Sequence, residues 1–194
     1  MRRLAALILL ALLLAPAPPR AAEPEAALAT AERLVEGAHG ALTEDGLGAE
    51  ARDARLKETI SEAFAFDIWE RFLLGDRAET FSEARLAEFR ALLPGFLADL
   101  YKTQFGKGLE EKPEIIGTRP ARRDVLVRAR IPRAEQDPLP VDWRIRDFGE
   151  RGHEVIDVMV GGISFLVLKR EEFASLLERG GPDALLAHMR ANSL

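Results

Sequence analysis

Residues 141–164 read VDWRIRDFGERGHEVIDVMVGGIS, and they form the clearest structural pattern in the chain. The first segment, residues 141–148, alternates apolar side chains with charged ones, as a strand does when it buries only one face. A second segment rich in Val and Ile occupies residues 154–160. The loop between them, residues 149–152, has glycine at both ends, which is typical of a hairpin. The stretch therefore predicts an antiparallel pair of strands.

Two more strands are predicted on the N-terminal side of this hairpin, at residues 114–117 and 125–131. In the second, apolar residues from Val125 to Ile131 alternate with Asp124, Leu126 and two arginines. This period of two predicts that the Val125 face is buried and that the face of Asp124 and Leu126 is in water. We expect a mainly antiparallel sheet of about four strands.

Helical patterns flank the sheet on both sides. Ser164 is predicted to cap a helix that runs to Glu178, after which Gly180 and Gly181 end it and Pro182 opens a last helix. On the N-terminal side the predicted helices are 25–45, 50–63, a short one after a capping Asp67, and a long one after the capping box Thr80 to Glu83. Helices, then strands, then helices predict an α+β domain.

The long helix carries a wide apolar and aromatic stripe. Pro94 lies inside it and is predicted to kink it. A stripe of this width is typical of an ordinary core, but it can also form the wall of an apolar cavity. Its members are Leu86, Phe89, Leu92, Leu93, Phe96, Leu97, Leu100, Tyr101 and Phe105.

The N-terminus has the order of a secretory signal: arginines at positions 2 and 3, an apolar run over 4–15, and small residues with prolines up to Ala22. About 12 apolar residues are too few to cross a bilayer as a helix, which needs roughly 20. We predict a signal peptide over residues 1–22 and a single exported domain over 23–194. An uncleaved N-terminal anchor is the alternative.

Composition excludes several classes of protein. Without residues 1–22 the chain keeps 24 Lys and Arg against 32 Asp and Glu, so the formal charge moves from −5 to −8. Nucleic-acid binding depends on clustered basic residues and is not expected. The chain has no cysteine, which rules out disulfides and a lipid-modified N-terminal cysteine.

No motif for catalysis or cofactor binding is evident. His39, His153 and His188 are far apart and lack metal-site spacing. The turn before Ser164 lacks the second glycine of a nucleophile elbow. Asp142, Asp147 and Asp157 offer carboxylates, but one sequence does not show that any two of them meet. We therefore predict a protein that is not an enzyme and has no cofactor or metal.

The last third of the chain combines a strand with a Trp-Arg dipeptide, a hairpin, a strand with an Ile-Asp-Val core, a Gly-Ile-Ser turn and two closing helices. These features occupy Val141–Arg146, Val155–Ser164, Lys169–Phe173 and Gly180–Leu185. In this order and spacing the chain resembles the MlaC, or toluene-tolerance, family of periplasmic phospholipid-binding proteins, and the resemblance implies a location in the periplasm. Residues 66–75 and 81–101 resemble the family more loosely.

This resemblance implies a curved sheet and helices around an apolar cavity that takes phospholipid acyl chains. It also implies a carrier between inner and outer membranes that maintains outer-membrane lipid asymmetry. The expected partners are an inner-membrane ABC-type lipid transport complex with MCE-domain subunits and an outer-membrane lipoprotein and porin complex. The residues predicted to contact lipid are Leu73, Phe89, Leu93, Phe96, Leu100, Val125, Val127, Val158, Val160, Ile163 and Phe165.

Three alternatives remain open at this point. The cargo of a family member could be a rigid hopanoid-type lipid, because the sequence does not separate it from phospholipid. The protein could instead be a structural or chaperone-like periplasmic protein with a filled core. A small periplasmic hydrolase would require a clustered catalytic triad.

Overall fold

The computed structural model describes residues 23–105, 111–133 and 136–194. The predicted signal peptide, residues 1–22, lies outside the described residues. None of the described helices is both long enough and apolar enough to cross a membrane.

The described elements follow the predicted order of helices, strands and helices. The α-helices are α1 (Pro24–Thr43), α2 (Ala49–Ala63), α3 (Phe66–Leu74), α4 (Glu83–Phe105) and α5 (Phe165–Ala191). The strands are β1 (Glu114–Ala121), β2 (Asp124–Ile131), β3 (Leu139–Asp147), β4 (His153–Val160) and β5 (Ile163–Ser164). Two short 3₁₀ helices, Gly75–Thr80 and Gly149–Arg151, connect elements.

The five strands form one antiparallel sheet in the order β1-β2-β3-β4-β5. The prediction of an α+β fold with a mainly antiparallel sheet is confirmed, and the fifth strand has only two residues. β1 extends to Ala121, beyond the predicted end at Gly117. Pro120 is tolerated in it because β1 is an edge strand, where a missing N–H removes no sheet hydrogen bond.

Register shifts in the sheet give it curvature. Between β3 and β4 the register shifts after the pair Arg144 and Asp157, so Ile156 is an extra residue in β4. Between β1 and β2 a second shift lies beside Gly117. Such bulges bend a strand and increase its twist. The concave face packs on α1, and together with the other helices it encloses the apolar interior.

The outer face of β2 is not fully in water, contrary to the prediction. Asp124 and Leu126 are both buried. The register places Asp124 opposite Arg146, and Leu126 opposite Arg144. Arg144 Nε donates to Asp124 Oδ2 at 2.7 Å, and Arg146 Nε donates to Asp124 Oδ1 at 2.7 Å. Alternation within β2 could not predict this burial, because the long side chains that cover the outer face of β2 belong to the neighbouring strand.

The predicted helix ends are partly confirmed. Ser164 Oγ accepts from Val167 N at the start of α5, and Gly75 ends α3 with a φ of 53°. The predicted caps Thr80 and Asp67 are wrong: Ser82 Oγ accepts from Arg85 N in the first turn of α4, and α3 begins after Ala65 without a side-chain cap. Thr80 is instead the last residue of the preceding 3₁₀ helix, where its hydroxyl donates to Arg77 O.

The break predicted near the C-terminus is present. Helix α5 is interrupted at Gly180 and Gly181, which have non-helical dihedrals, with φ of 64° at Gly181. Pro182 then starts the second half of α5.

Helix α4 continues through Pro94, and the backbone carbonyl of the next residue, Gly95, accepts a hydrogen bond from Leu194 N. A side chain at Gly95 would collide with Ser193.

Candidate functional site

An apolar cavity lies between the C-terminal half of α4 and the concave face of the sheet. Its wall is almost wholly hydrocarbon and aromatic, and the space that a water-sized sphere can occupy in it is about 40 Å³. The lining residues are Ile60, Phe64, Trp69, Leu97, Leu100, Tyr101, Gln104, Ile131, Val141, Trp143, Val158, Val160 and Phe165.

Alternation in the strands explains the sheet side of this wall. Val141 and Trp143 of β3 pair with Val160 and Val158 of β4, and all four point to the concave face. Bulky apolar residues on one face of adjacent strands pack as a continuous surface. The cavity is therefore at the end of the sheet where β3 begins and β4 ends.

The polar atoms in this wall are few. Burial raises the pKa of the Tyr101 hydroxyl, so Tyr101 is neutral at physiological pH. Within the described part of the chain, the buried Trp69 Nε1 has no hydrogen-bond acceptor. Gln104 is exposed at the rim. A wall without ionised groups favours a hydrocarbon ligand, because burial of a charge without a partner is costly.

The start of α5 is tied to the sheet by Asp157. Its carboxylate accepts from Ser164 Oγ at 2.7 Å, from Leu166 N at 3.2 Å and from Val158 N at 2.8 Å. Burial raises the pKa of Asp157, and these three hydrogen bonds oppose the rise. Asp157 therefore positions Phe165, which lies between Ser164 and Leu166, against the cavity.

The other two carboxylates considered for catalysis have separate structural contacts. Asp142 accepts from Arg128 Nε at 3.3 Å across the strands, and Asp147 accepts from Gly149 N in the hairpin loop at 2.8 Å. Among the described residues, no group of three His, Cys, Asp or Glu side chains is arranged to hold a metal ion.

Four of the predicted lipid-contact residues line the cavity: Leu100, Val158, Val160 and Phe165. Ile163 is 65% exposed, because the two-residue strand β5 turns it away from the interior. The other six are buried in the core: Leu73, Phe89, Leu93, Phe96, Val125 and Val127. Lipid contact by all eleven residues stays a prediction.

Sequence reasoning did not select the remaining lining residues. Ile131, Val141 and Trp143 have the same alternating pattern as the selected strand residues, so the pattern could have found them. Phe64 reaches the cavity from the α2–α3 junction, where it forms an isolated bridge with Val155. That contact joins residues about 90 positions apart and has no local signal.

A second, polar groove of about 200 Å³ lies between α4 and α5, and we call it the α4–α5 groove. It shares Leu100 and Gln104 with the cavity, so the two are adjacent. Its other lining residues are Phe96, Asp99, Thr103, Lys169, Glu172, His188 and Asn192.

A family model and a solved structure are similar to this chain. The MlaC protein family model matches residues 32–191. The solved structure is the phospholipid-binding protein from Ralstonia solanacearum in complex with a phospholipid, with a TM-score of 0.68 and 17% sequence identity, covering 86% of this chain and 96% of that chain. No curated protein sequence matches the chain. At 17% identity the solved structure shows a common fold only. The family model, in contrast, spans most of the sequence. The chain therefore belongs to the MlaC family, as its hairpin and Gly-Ile-Ser turn predicted.

Proposed function

We propose that the protein is a non-catalytic carrier that binds the acyl chains of a phospholipid in the apolar cavity and moves the lipid between membranes. The observation that carries this proposal is the cavity itself, whose wall is aliphatic and aromatic from both the sheet and α4. The family and the phospholipid bound to the Ralstonia solanacearum protein support the choice of ligand.

The energetics require such a wall. Each methylene group transferred from an apolar medium to water costs about 0.8 kcal/mol, so a chain of about 15 methylenes costs on the order of 12 kcal/mol. A carrier offsets this cost only if its cavity is dry and nearly as apolar as the bilayer. The uncharged wall around Trp143 and Phe165 meets that requirement.

The cavity must widen to take an acyl chain. Pockets that enclose ligands of drug size have volumes of about 300–1,000 Å³, far above the space found here. Helix α4 packs mainly on the other helices, α2, α3 and α5. The cavity lies between α4 and the sheet, so a shift of the C-terminal half of α4 away from the strands enlarges it without breaking sheet hydrogen bonds.

Native mass spectrometry of the protein, purified without detergent, tests the proposal. We expect the mass of one or more phospholipids on the folded protein, and their fatty-acid composition after extraction. A bound polycyclic lipid would identify a hopanoid carrier instead. A protein that stays free of lipid after incubation with phospholipid vesicles would contradict the carrier proposal.

The proposed location is the periplasm, with residues 1–22 removed on export. Expression of residues 23–194 should give a protein that remains in the aqueous fraction, because no described helix is suited to span a bilayer. Persistent membrane association of that form after a high-salt wash would count against a free carrier.

The proposed partners are the inner-membrane MCE-domain complex and the outer-membrane lipoprotein and porin complex. A carrier must release each partner, so we expect micromolar affinity, about −8 kcal/mol. Docking through charged side chains would make the affinity fall as salt rises. A dissociation constant that does not respond to ionic strength would contradict polar docking.

A further inference from the structure

The α4–α5 groove contains charges of both signs next to the apolar cavity. Lys169 Nζ lies 2.6 Å from Glu172 Oε2, and His188 Nε2 lies 3.1 Å from Glu172 Oε1. Asp99 adds a second carboxylate, and no hydrogen bond or ion pair reaches it from the described part of the chain. With histidine counted as neutral, these side chains have a net formal charge of −1.

Lys169 connects the groove to the cavity. Its side chain is only 14% exposed, and its Nζ lies 5.5 Å from the ring centroid of Phe165, a cavity residue, and 5.9 Å from that of Phe96. The apolar stem of the lysine therefore covers aromatic rings while its charged end stays in the polar groove. A ligand whose chains enter beside Phe165 brings its polar end close to this ammonium group.

We infer that the α4–α5 groove is a headgroup site for a zwitterionic phospholipid of the phosphoethanolamine type, with the phosphate on Lys169 and the ammonium group between Asp99 and Glu172. This inference rests on the proposed function. A phosphodiester is a hydrogen-bond acceptor that suits a lysine ammonium group. The headgroup ammonium replaces Lys169 as the partner of Glu172 when the phosphate binds the lysine.

Charge makes the groove selective. A headgroup with a single negative charge, such as phosphatidylglycerol, would meet two carboxylates and one lysine. Like charges in a partly buried site repel each other, whereas a zwitterion satisfies both signs. Lys169 is the only lysine or arginine among the described residues that line the groove, so no second cation balances an anionic lipid there.

The test is competition between two lipids that differ only in the headgroup. Delipidated protein is incubated with vesicles containing equal amounts of phosphatidylethanolamine and phosphatidylglycerol with identical acyl chains, and bound lipid is quantified by mass spectrometry. We expect a preference for phosphatidylethanolamine on the order of fivefold, the size of one partly exposed ion pair. Glu172→Gln and Asp99→Asn should each bring the ratio closer to one.

Two further variants separate the roles of the residues. Lys169→Met keeps an apolar stem over Phe165 and should reduce uptake of both lipids alike, because both contain the phosphate. Glu171→Gln is the matched control: it removes an exposed carboxylate of α5 outside the groove and should leave the ratio unchanged. Thermal unfolding of each variant shows whether it is folded.

The possible results are distinct. Equal uptake of the two lipids by the unaltered protein, or a ratio that neither Glu172→Gln nor Asp99→Asn changes, overturns the headgroup site and leaves the acyl-chain cavity intact. A shift in the ratio with Glu171→Gln as large as with Glu172→Gln shows a general charge effect and also overturns it. Absence of both lipids from every sample overturns the proposed function, and the headgroup site with it.

Discussion

The two halves of helix α4 carry the same apolar stripe but have different surroundings. From the N-terminal half to the middle of α4, Phe89 and Phe96 pack on Phe173 of α5, with ring-centroid distances of 6.1 and 5.4 Å. In the C-terminal half, Leu97 and Tyr101 face the cavity. The difference is that Phe173 of α5 packs against the rings of α4, whereas Phe165 at the start of α5 lines the cavity beside the C-terminal half. A helical stripe thus determines which face is buried, and the opposite element determines whether the space is filled.

The largest expected difference is between two leucines one helical turn apart. Leu93→Ala in the filled half should lower the free energy of unfolding by about 2–5 kcal/mol, because its contacts vanish and a void forms. Leu97→Ala at the cavity should cost less, because space already exists beside it. Urea unfolding of the delipidated variants measures both. Equal losses would mean that the cavity end is packed like the core.

The next effect concerns lipid affinity. In the proposed lipid complex Leu100→Gln places an amide against the acyl chains, and an unpaired buried amide costs roughly 1–3 kcal/mol. Bound lipid, measured by mass spectrometry after exchange with vesicles, should fall by about tenfold, since each 1.4 kcal/mol is a factor of ten. Because Leu100 is only partly buried, the stability of the delipidated protein should change little. Unchanged lipid binding would contradict the position of the cavity.

Two acids of the sheet, Asp124 on β2 and Asp157 on β4, should respond oppositely to pH. Burial alone would raise the pKa of Asp124, but hydrogen bonds from Arg146 and Arg144 outweigh it and hold the pKa below its ordinary value of 3.8. Its contribution to stability is therefore present above pH 3.8 and is lost as the pH falls through the folded-state pKa. The raised pKa of Asp157 has the opposite sign: stability decreases as the pH rises above 3.8.

Chemical unfolding between about pH 2.5 and pH 7 of Asp124→Asn and Asp157→Asn checks these signs. Asp124→Asn should flatten the profile below pH 3.8, and Asp157→Asn should flatten it above that value. If the free energy of unfolding of a variant changes with pH in the same way as that of the unaltered protein, the substituted acid does not cause the pH dependence.

The smallest effect is expected from an exposed ion pair that joins the filled half of α4 to the second half of α5. Arg85 Nη2 lies 2.7 Å from Asp183 Oδ2, and the two side chains are 43% and 73% exposed. Arg85→Ala should cost less than about 1 kcal/mol. A double-mutant cycle with Asp183→Ala isolates the pair. A coupling free energy well above about 1 kcal/mol would mean that the ion pair, rather than aromatic packing, holds these two helices together.

Local sequence patterns predicted helices and strands best where an element buries one face and exposes the other. Alternation in residues 141–148 and the glycines at 149 and 152 gave the β3–β4 hairpin, because side-chain period and turn conformation are local properties. The same reasoning ended β1 too early, since Pro120 is a strand breaker except at an edge. It also chose Thr80 over Ser82 as the cap of α4, because Glu83 lies three residues after Thr80, which is the spacing of a capping box, whereas Arg85 lies three residues after Ser82.

The candidate site was predicted less completely, for a physical reason. Periodicity placed Val127 and Val160 on the same concave face, but only Val160 lines the cavity. Which part of a buried face is filled depends on the side chains opposite it, and these come from distant segments such as Phe64 and Phe173.

The sequence by itself therefore determined the α+β class, the hairpin, the charge and the family, because each depends on residue type and local spacing. The tertiary structure alone decided where the void lies along α4, that Ile163 faces outward, and that Asp124 is buried beneath two arginines. It also brought Lys169, Glu172, His188 and Asp99 together in the α4–α5 groove beside the cavity. Those properties depend on distances between elements, and the conformational preferences of single residues do not encode such distances.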